Sequence, residues 1–342
     1  MQIWPPVLLA PMEGVTDLTF RRLVRQIGGV GLTCTEFLPA EGLRQNGGQQ
    51  RGRIAEMAAF DDDERPISVQ IYGKRPEGMA EAARIVEAMG ATLCDINMGC
   101  PSKKVCSHSG GSALMADLDL ATEIVRHVRR AISIPLTVKM RSGFDATCRN
   151  APELAYRCQE EGAQAVTVHW RTRADLYRGQ RAVDKIAETV ARLRIPVVGN
   201  GDVIDVSSAA AMFAETGCAA VMVGRGAMRD PWALRKITAA IEGQPEFEVT
   251  AAEKERVLLG YLDALLRRFD REQGALGRFK KISSYFVQGV PYGEEALRTP
   301  LLRSERIPEA EAHVRGYFQR LRAFEAGDTS AFAELLAEAP AD

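Results

Sequence analysis

The sequence predicts an α/β protein, a (β/α)8 TIM barrel followed by a smaller C-terminal α-helical bundle domain. Three observations support this fold. Short apolar runs alternate with longer helical patterns, the alternation stops at a segment that contains Gly and Pro, and only helical patterns follow. The chain has 342 residues, which is enough for one barrel and a small second domain.

Eight apolar runs are the candidate strands of the barrel. Most of them are near-continuous, which is typical of parallel strands that are buried on both faces. The runs are Val7–Ala10, Leu32–Phe37, Ile67–Ile71, Leu93–Asn97, Leu136–Met140, Ala165–His169, Pro196–Gly199 and Ala220–Val223.

The segments between these runs have the pattern of helices. Several end at a glycine, the usual residue after a helix C-terminus. A doubly wound sheet would be expected to carry Gly-x-Gly-x-x-Gly after an early strand, and the chain contains neither that motif nor a P-loop. The helical stretches include Pro76–Met89, Leu120–Ala131, Ala151–Glu161, Val183–Leu193 and Val206–Glu215.

A linker is predicted at Glu242–Val249, which contains a glycine and a proline. We therefore assign residues 1–242 to the barrel and residues 250–325 to the helical domain. Residues 326–342 form an Ala/Glu-rich tail that we expect to fray.

The first helix after the linker has clear signals at its start. Thr250 and Glu253 have the spacing of a capping box, in which each side chain bonds the backbone N–H of the other residue. The pattern that follows predicts one apolar helix face, formed by Leu258, Leu262, Leu265 and Phe269.

Composition and charge exclude several classes of protein. Hydrophobic residues make up 46% of the chain and charged residues 26%, which is typical of a soluble globular protein. No apolar run reaches the roughly 18 residues of a membrane span. The first residues lack the basic start of a signal peptide, so we expect a cytoplasmic protein without a membrane partner. The net charge of −1 restricts any nucleic-acid site to a local patch.

The seven cysteines include no Cys-x-x-Cys pair, which indicates reduced thiols rather than a disulfide framework. Cys100 is distinctive because Gly99 and Pro101 flank it where a strand is predicted to end. The spacing of Cys100, Cys106 and His108 does not fit common zinc sites, so no metal is expected. Three further cysteines lie inside apolar runs and are interpreted as small buried hydrophobic residues: Cys34, Cys94 and Cys218.

Polar residues and glycines follow the predicted strands at their C-terminal ends, where barrel enzymes carry their active residues. The glycines after strands 7 and 8 favour a phosphate site, because they let backbone N–H groups approach an anion closely. Arg225 would add a charge-assisted contact, although the same glycines could serve only to make tight turns. The strand-end segments are Ala10-Pro11-Met12-Glu13-Gly14, Gln70, Asn97 to Pro101, Lys139-Met140-Arg141, His169-Trp170-Arg171, Asn200-Gly201-Asp202 and Gly224-Arg225-Gly226.

A lysine and a histidine among these residues are candidates for cofactor binding. Lys139 is costly to bury without a partner, and a cation there would stabilise the anionic edge of a reduced flavin. The alternative is a surface-facing lysine at the strand exit. His169 closes a strand and could bond a cofactor or polarise a substrate carbonyl, with a purely structural histidine as the alternative.

Several of these segments together resemble the tRNA-dihydrouridine synthases. The similarity covers nearly the whole barrel in the family's order, and its Asn-x-Gly-Cys-Pro core is highly specific. Trp170 is a departure, since the family commonly has Gly at this position. The matching segments are Ala10–Asp17, Asp95–Val105, Gly110–Leu114, Val138–Gly143, His169–Arg173, Gly199–Asp202 and Val223–Ala227.

The resemblance implies an FMN-dependent oxidoreductase that reduces the C5–C6 double bond of specific uridines in tRNA. NADPH would recharge the flavin, with NADH as a possible substitute, and the helical domain would hold the tRNA. We expect a monomer that does not bind DNA. The flavin would add hydride to C6, and Cys100 would act as the catalytic acid that protonates C5.

The resemblance also implies binding roles for the strand-end residues. Asn97, Arg141 and Arg171 would face the uracil. The residues carried over to the FMN site are Pro11, Met12, Glu13, Gln70, Lys139, His169, Asn200, Gly201, Asp202, Gly224 and Arg225.

The helical domain contains a basic segment between Arg267 and Lys281. Six basic residues stand against two acidic ones, which leaves a local charge of +4 in a chain of net charge −1. Aromatic residues lie among or beside them, and this combination favours RNA, although a solvated amphipathic helix is the alternative. The basic residues are Arg267, Arg268, Arg271, Arg278, Lys280 and Lys281, and the aromatic ones are Phe279, Tyr285 and Phe286.

Three other functions remain open from the sequence. A dihydroorotate-dehydrogenase-like barrel would share FMN and a pyrimidine substrate, but the helical domain and the Asn-x-Gly-Cys-Pro motif argue against it. A non-redox barrel could bind phosphate after strands 7 and 8 and use a cysteine nucleophile. A flavin-containing tRNA-binding protein with little turnover is the third alternative.

Overall fold

The computed structural model describes residues 2–45, 52–106, 110–287 and 290–333. Its nine described strands are β1 Val7–Leu9, β2 Thr33–Cys34, β3 Leu38–Pro39, β4 Ile67–Tyr72, β5 Leu93–Met98, β6 Leu136–Arg141, β7 Ala165–His169, β8 Val197–Asn200 and β9 Ala220–Val223. They form one parallel sheet in the order β1-β9-β8-β7-β6-β5-β4-β2, with β3 paired to β4. Leu8 and Leu32 form a parallel bridge, and the N–H of Leu9 donates to the carbonyl of Leu32 at 2.9 Å. These contacts join the two ends of the strand order, so the predicted (β/α)8 barrel is confirmed.

The strands follow the predicted apolar runs closely except at the second one. The predicted strand Leu32–Phe37 is only two residues long, because the Thr35 hydroxyl donates to the carbonyl of Glu36 and accepts from the N–H of Gln70.

Helices connect most consecutive strands of the barrel, and the five predicted stretches are confirmed within two residues at each end. Asp17 begins the first helix, and its carboxylate accepts the N–H of Phe20 at 3.0 Å. The barrel helices are α1 Leu18–Ile27, α2 Ala40–Gln45, α3 Gly52–Ala58, α4 Pro76–Ala88, α5 Lys103–Cys106, α6 Leu118–Ala131, α7 Ala151–Glu160, α8 Asp184–Arg192, α9 Val206–Thr216, α10 Arg225–Arg229 and α11 Ala233–Ile241.

The chain divides into two compact units. The barrel unit consists of the described residues up to Gly226 together with Ala233–Gln244. Ala227–Trp232, which we placed in the barrel, cluster instead with the residues from Pro245 onward in a helical unit. The physical reason is that Trp232 donates its indole N–H to Glu253 at 3.1 Å and packs against Phe286.

The part of the helical unit that the structure describes contains four α-helices. The predicted apolar face of the first is confirmed for Leu258, Leu262 and Leu265, whereas Phe269 follows the end of the helix and is partly exposed. Only half of the predicted capping box forms: Thr250 accepts the N–H of Glu253, while the Glu253 carboxylate accepts from Trp232 instead. The helices are α12 Ala251–Arg268, α13 Glu272–Phe286, α14 Thr299–Arg303 and α15 Ile307–Glu325.

The tail begins with packed structure rather than with a frayed end. A short 3-10 helix covers Thr329–Phe332, and Phe332 is buried and stacks on Tyr292 with ring centroids 4.7 Å apart. Residues 334–342 of the predicted tail lie outside the described residues. None of the helices that the structure describes has the length and apolar character that a membrane span needs.

Candidate active site

The C-terminal ends of the strands place polar side chains on the face that points into the barrel. Side chains two residues apart share a face of a strand, so Lys139 and Arg141 of β6 both point inward. On β5 the same face carries Leu93 in the apolar interior, then Asp95, then Asn97. The predicted strand-end residues therefore meet at one mouth of the barrel.

A turn after β5 holds the thiol of Cys100. The side-chain oxygen of Asn97 accepts the N–H groups of Gly99 and Cys100 at 3.0 and 2.9 Å. The carbonyl of Cys100 accepts both the N–H and the hydroxyl of Ser112, at 3.1 and 2.9 Å. The turn is thus fixed on both sides of the thiol.

Cys100 is a protonated thiol at neutral pH. Burial raises its pKa above the ordinary value, and the neighbouring Cys106 and Glu13 act in the same direction. A raised pKa keeps the proton on sulfur, which suits a proton donor and not a thiolate nucleophile. His108, the third member of the rejected metal set, lies outside the described residues.

Both polar atoms of the Asn97 side-chain amide form hydrogen bonds within the protein. Its oxygen holds the Cys100 turn, and its NH2 group donates to the Gln70 side-chain oxygen at 2.7 Å. Gln70 in turn donates to the Asp95 carboxylate at 2.6 Å. All three side chains are buried, so the structure gives Asn97 and Gln70 internal partners in addition to the predicted ligand roles.

Lys139 and Asn200 form the next contact around the mouth. The Lys139 ammonium donates to the Asn200 side-chain oxygen at 2.8 Å, and the Asn200 amide donates to the carbonyl of Met222 at 2.7 Å. Burial, and to a smaller extent Arg141, lowers the pKa of Lys139 to about 8 against the opposing effect of Asp95. An anion bound beside Lys139 would raise its pKa again and stabilise the charged ammonium.

His169 is a neutral hydrogen-bond donor. Burial lowers its pKa well below the ordinary value, and Lys139, Arg141, Arg171 and Arg225 act in the same direction. Its Nδ1 accepts the N–H of Arg171 at 3.1 Å, so the ring proton lies on Nε2. The side chain can therefore donate one hydrogen bond from Nε2.

Asp202 links two arginines at the end of β8. Arg171 forms a bidentate pair with its carboxylate at 2.7 and 3.1 Å, and Arg225 donates to the same carboxylate at 2.7 Å. Two guanidinium groups thus share one carboxylate, which leaves this cluster with a net positive charge. Asp202 itself has a positive φ of 52°, a conformation uncommon outside glycine.

Trp170, the departure from the family pattern, packs inside the barrel unit. It is buried, and the Arg171 guanidinium stacks on its ring at 4.0 Å from the centroid. A Cβ on Gly201 would come within 2.5 Å of the indole, and Gly201 has a φ of +111°, so only glycine fits beside Trp170. Trp170 therefore fixes the position of Arg171.

Arg141 is held by backbone carbonyls. Its guanidinium donates to Gly99, Thr172 and Leu176 at 2.9, 2.7 and 2.8 Å. Because one of these carbonyls belongs to the Cys100 turn, Arg141 also braces that turn. Tyr177 is exposed to solvent, and the Arg141 guanidinium carbon lies over its ring, 5.9 Å from the ring centroid.

The first strand end contributes apolar contacts and one exposed carboxylate. The Met12 sulfur lies 3.7 Å from where a Cβ on Gly224 would be, so Met12 and Gly224 line the same side of the mouth. Pro11 is half-buried beside them, and Glu13 is exposed. The predicted residues of strands 1 and 8 are therefore brought together.

Two residues at the mouth were missed by the sequence reasoning. Glu36 is a buried carboxylate that accepts the N–H of Gly14, and the only signal for it was an acid inside the apolar run that ends strand 2. Tyr72 ends β4, and burial raises its pKa, with Glu13 and Cys100 contributing. Its place directly after a predicted strand was the signal that could have identified it.

Comparison with known proteins identifies relatives over most of the chain. The family model described as Dihydrouridine synthase (Dus) matches residues 8–320. A Xanthomonas campestris protein named tRNA-dihydrouridine synthase B is 39% identical over 93% of this chain and 94% of that protein. A Pseudomonas aeruginosa protein of the same name is 36% identical over 91% of this chain and 92% of that protein. A mutant FabK from Thermotoga maritima aligns with a TM-score of 0.43 and 18% identity over 67% of this chain and 64% of that one.

Proposed function

Because this chain belongs to the dihydrouridine synthase family, we propose that it reduces the C5–C6 double bond of specific uridines in tRNA, with FMN as its flavin and NADPH as its reductant. The observation that carries the proposal is the Cys100 thiol. It is held by a doubly anchored turn at the barrel mouth, and its raised pKa keeps it protonated.

The side chains at the mouth fit FMN. The arginines Arg171 and Arg225 share the single carboxylate of Asp202, so their cluster retains positive charge for a phosphate. Gly201 and Gly224 leave the neighbouring backbone open to close approach. Lys139 and His169 would supply a cation and a neutral Nε2–H donor for the polar edge of the flavin ring.

When bound, FMN would supply the hydride that adds to C6 of the uracil. The protein must then stabilise negative charge that builds on C5 and O4 and deliver a proton to C5. Cys100 is the proton donor in our proposal, with its sulfur–hydrogen bond breaking as the new carbon–hydrogen bond forms. Arg141 lies against the same turn and would place positive charge beside the developing anion.

The tRNA would be held mainly by the helical unit. Arg267 and Arg271 are exposed there and suit phosphate groups. Phe279 and Phe286 are buried core residues and do not serve as stacking surfaces, while Lys280 donates to the carbonyl of Leu302 at 3.0 Å. The basic side chains, more than the aromatic ones, therefore support RNA binding.

Activity on tRNA that lacks modification tests this proposal. The purified protein should be yellow, release FMN on denaturation, and consume NADPH in the presence of unmodified tRNA while dihydrouridine appears at defined positions. Dihydroorotate in place of tRNA should give no flavin reduction. Bound FMN together with tRNA binding but no dihydrouridine would instead favour a flavin-containing tRNA-binding protein.

A further inference from the structure

Asp95 is a buried carboxylate for which the proposed chemistry has no direct use. It lies on the inner face of β5, two residues below Asn97, and is 5% exposed. The Thr137 hydroxyl donates to one of its oxygens, and the Gln70 amide donates to the other at 2.6 Å. Burying a carboxylate is costly unless its hydrogen bonds perform a task or offset that cost.

A continuous line of hydrogen bonds runs from Asp95 through Gln70 and Asn97 to the Cys100 turn. Gln70 donates to Asp95 at 2.6 Å, and Asn97 donates to Gln70 at 2.7 Å. Asn97 then accepts the N–H groups of Gly99 and Cys100. Every bond in the line runs in the same direction, from the turn towards the carboxylate.

The direction of the line depends on its two ends. A side-chain amide can present either its oxygen or its NH2 group, whereas an ionised carboxylate only accepts and a backbone N–H only donates. If Gln70 were flipped, its NH2 group would face that of Asn97, and a flip of Asn97 would direct its NH2 group at the N–H of Cys100. Only one orientation of the two amides therefore satisfies both the acceptor at Asp95 and the N–H donors of the turn.

This match does not require a charged carboxylate. Burial raises the pKa of Asp95 above its ordinary value, while Thr137, Gln70 and Lys139 oppose that effect. A proton on the oxygen that faces the Thr137 hydroxyl would leave the other oxygen free to accept from Gln70. The orientation of the two amides is the same in both states.

We propose that Asp95 is a positioning residue, which orients the amides of Gln70 and Asn97 so that the turn holds the Cys100 thiol in place. This inference rests on the proposed function for its role in catalysis, but the effect on the turn is independent of activity. It also explains why Asn97 is bound on both of its polar atoms.

Two substitutions of Asp95 distinguish its role as a hydrogen-bond acceptor from the effect of its charge. Asp95→Leu removes the acceptor while keeping the branched shape of the side chain, leaves the Gln70 amide without its partner and permits both amides to flip. Asp95→Asn keeps an oxygen that can accept from Gln70, while its NH2 group can donate to the Thr137 hydroxyl. We expect the leucine variant to lose about tenfold or more in the rate of uridine reduction, and the asparagine variant to stay within about threefold of the parent.

The reactivity of Cys100 towards iodoacetamide gives a second readout that does not need turnover. Fragment-ion mass spectrometry distinguishes Cys100 from the other thiols of the intact protein. We expect Asp95→Leu to alkylate Cys100 about fivefold faster than the parent, since the freed turn exposes the thiol. Thr137→Val leaves the oxygen that accepts from Gln70 in place and should therefore change the rate much less than Asp95→Leu.

A matched control is Glu64, a buried carboxylate of the barrel unit paired with Arg21 at 2.9 Å and outside this line. Glu64→Leu should lower the melting temperature without changing Cys100 alkylation in the folded protein. Unchanged alkylation and activity in folded Asp95→Leu, or the same changes in Glu64→Leu, would overturn the role of Asp95. If the parent protein fails to reduce tRNA, the proposed function fails, while the alkylation comparison still decides the role of Asp95.

Discussion

The lower and upper halves of the barrel interior lie on the same strands but have opposite chemistry. The lower half is an apolar cluster that includes Leu8, Leu32, Leu93 and Val198. Two and four residues above Leu93 on the same face of β5, the upper half carries Asp95 and Asn97. The change occurs within one strand, so position along the strand, and not the strand itself, separates packing from function.

Burial has different consequences in the two halves. In the lower half, the transfer of apolar side chains out of water stabilises the fold. In the upper half, burial raises the pKa of Cys100 and lowers those of Lys139 and His169, so each pKa moves in the direction that penalises the charged form. The upper half is thus held ready for a ligand that supplies compensating charge and hydrogen bonds.

The largest expected effect is a difference in activity between substitutions of two cysteines, one in each half. Cys100→Ala should lower dihydrouridine formation by about 10²–10⁴-fold, the usual contribution of a positioned acid, with FMN and tRNA binding retained. Cys34→Ala, in the apolar cluster, should leave turnover per folded molecule unchanged. Full activity of the Cys100 variant in a tRNA dihydrouridine assay would remove this thiol from the mechanism.

The apolar half should respond in stability rather than in chemistry. Leu93 is 1% exposed, and Leu93→Ala should lower the free energy of unfolding by about 2–5 kcal/mol through lost burial and a cavity. Denaturant titration measures this change. Turnover per folded molecule should remain near that of the parent, and a large loss of turnover at low temperature would contradict the division between the halves.

Lys139 should give the pH dependence of flavin binding. Its ammonium is charged below its pKa of about 8 and neutral above, so FMN affinity should be full at neutral pH and decrease as the pH rises through about 8. Without flavin the sign is reversed: the unfolded chain holds this proton more tightly, so stability should rise from about pH 8 towards 10.5.

Flavin fluorescence quenching measures this affinity across pH. Lys139→Arg should remove the decrease, because a guanidinium stays charged, and Lys139→Met should bind about tenfold more weakly at neutral pH. Cys100→Ala is the control and should keep the decrease. A pH dependence that persists in Lys139→Arg would assign it to another group.

The smallest expected effect concerns the basic segment of the helical unit. Replacing both Arg267 and Arg271 with Ala should weaken tRNA binding and lower the slope of log affinity against log salt by about 1.5, since each lost phosphate contact removes roughly 0.7–0.9. Arg194→Ala, which removes an exposed arginine paired with Glu160 in the barrel unit, is the control. Equal slopes for all three proteins would place the tRNA contacts elsewhere.

The sequence alone determined the barrel, the identity of its strands and the set of residues at the strand ends. These follow from local signals: apolar runs long enough for one strand, glycines that end helices, and polar residues where a run stops. The strand predicted at Leu32–Phe37 ends early because the Thr35 hydroxyl takes over backbone hydrogen bonds, which apolar periodicity does not reveal.

Only the tertiary structure decided how the polar residues are used. Asn97 is bound to Gln70, Arg171 to Asp202, and Arg141 to the carbonyl of Leu176, and each pair is far apart in sequence. Their contacts depend on the register between neighbouring strands and on where each loop returns to the mouth. A single sequence therefore names the residues at the mouth, but the orientation of each amide and guanidinium is fixed only when the barrel closes.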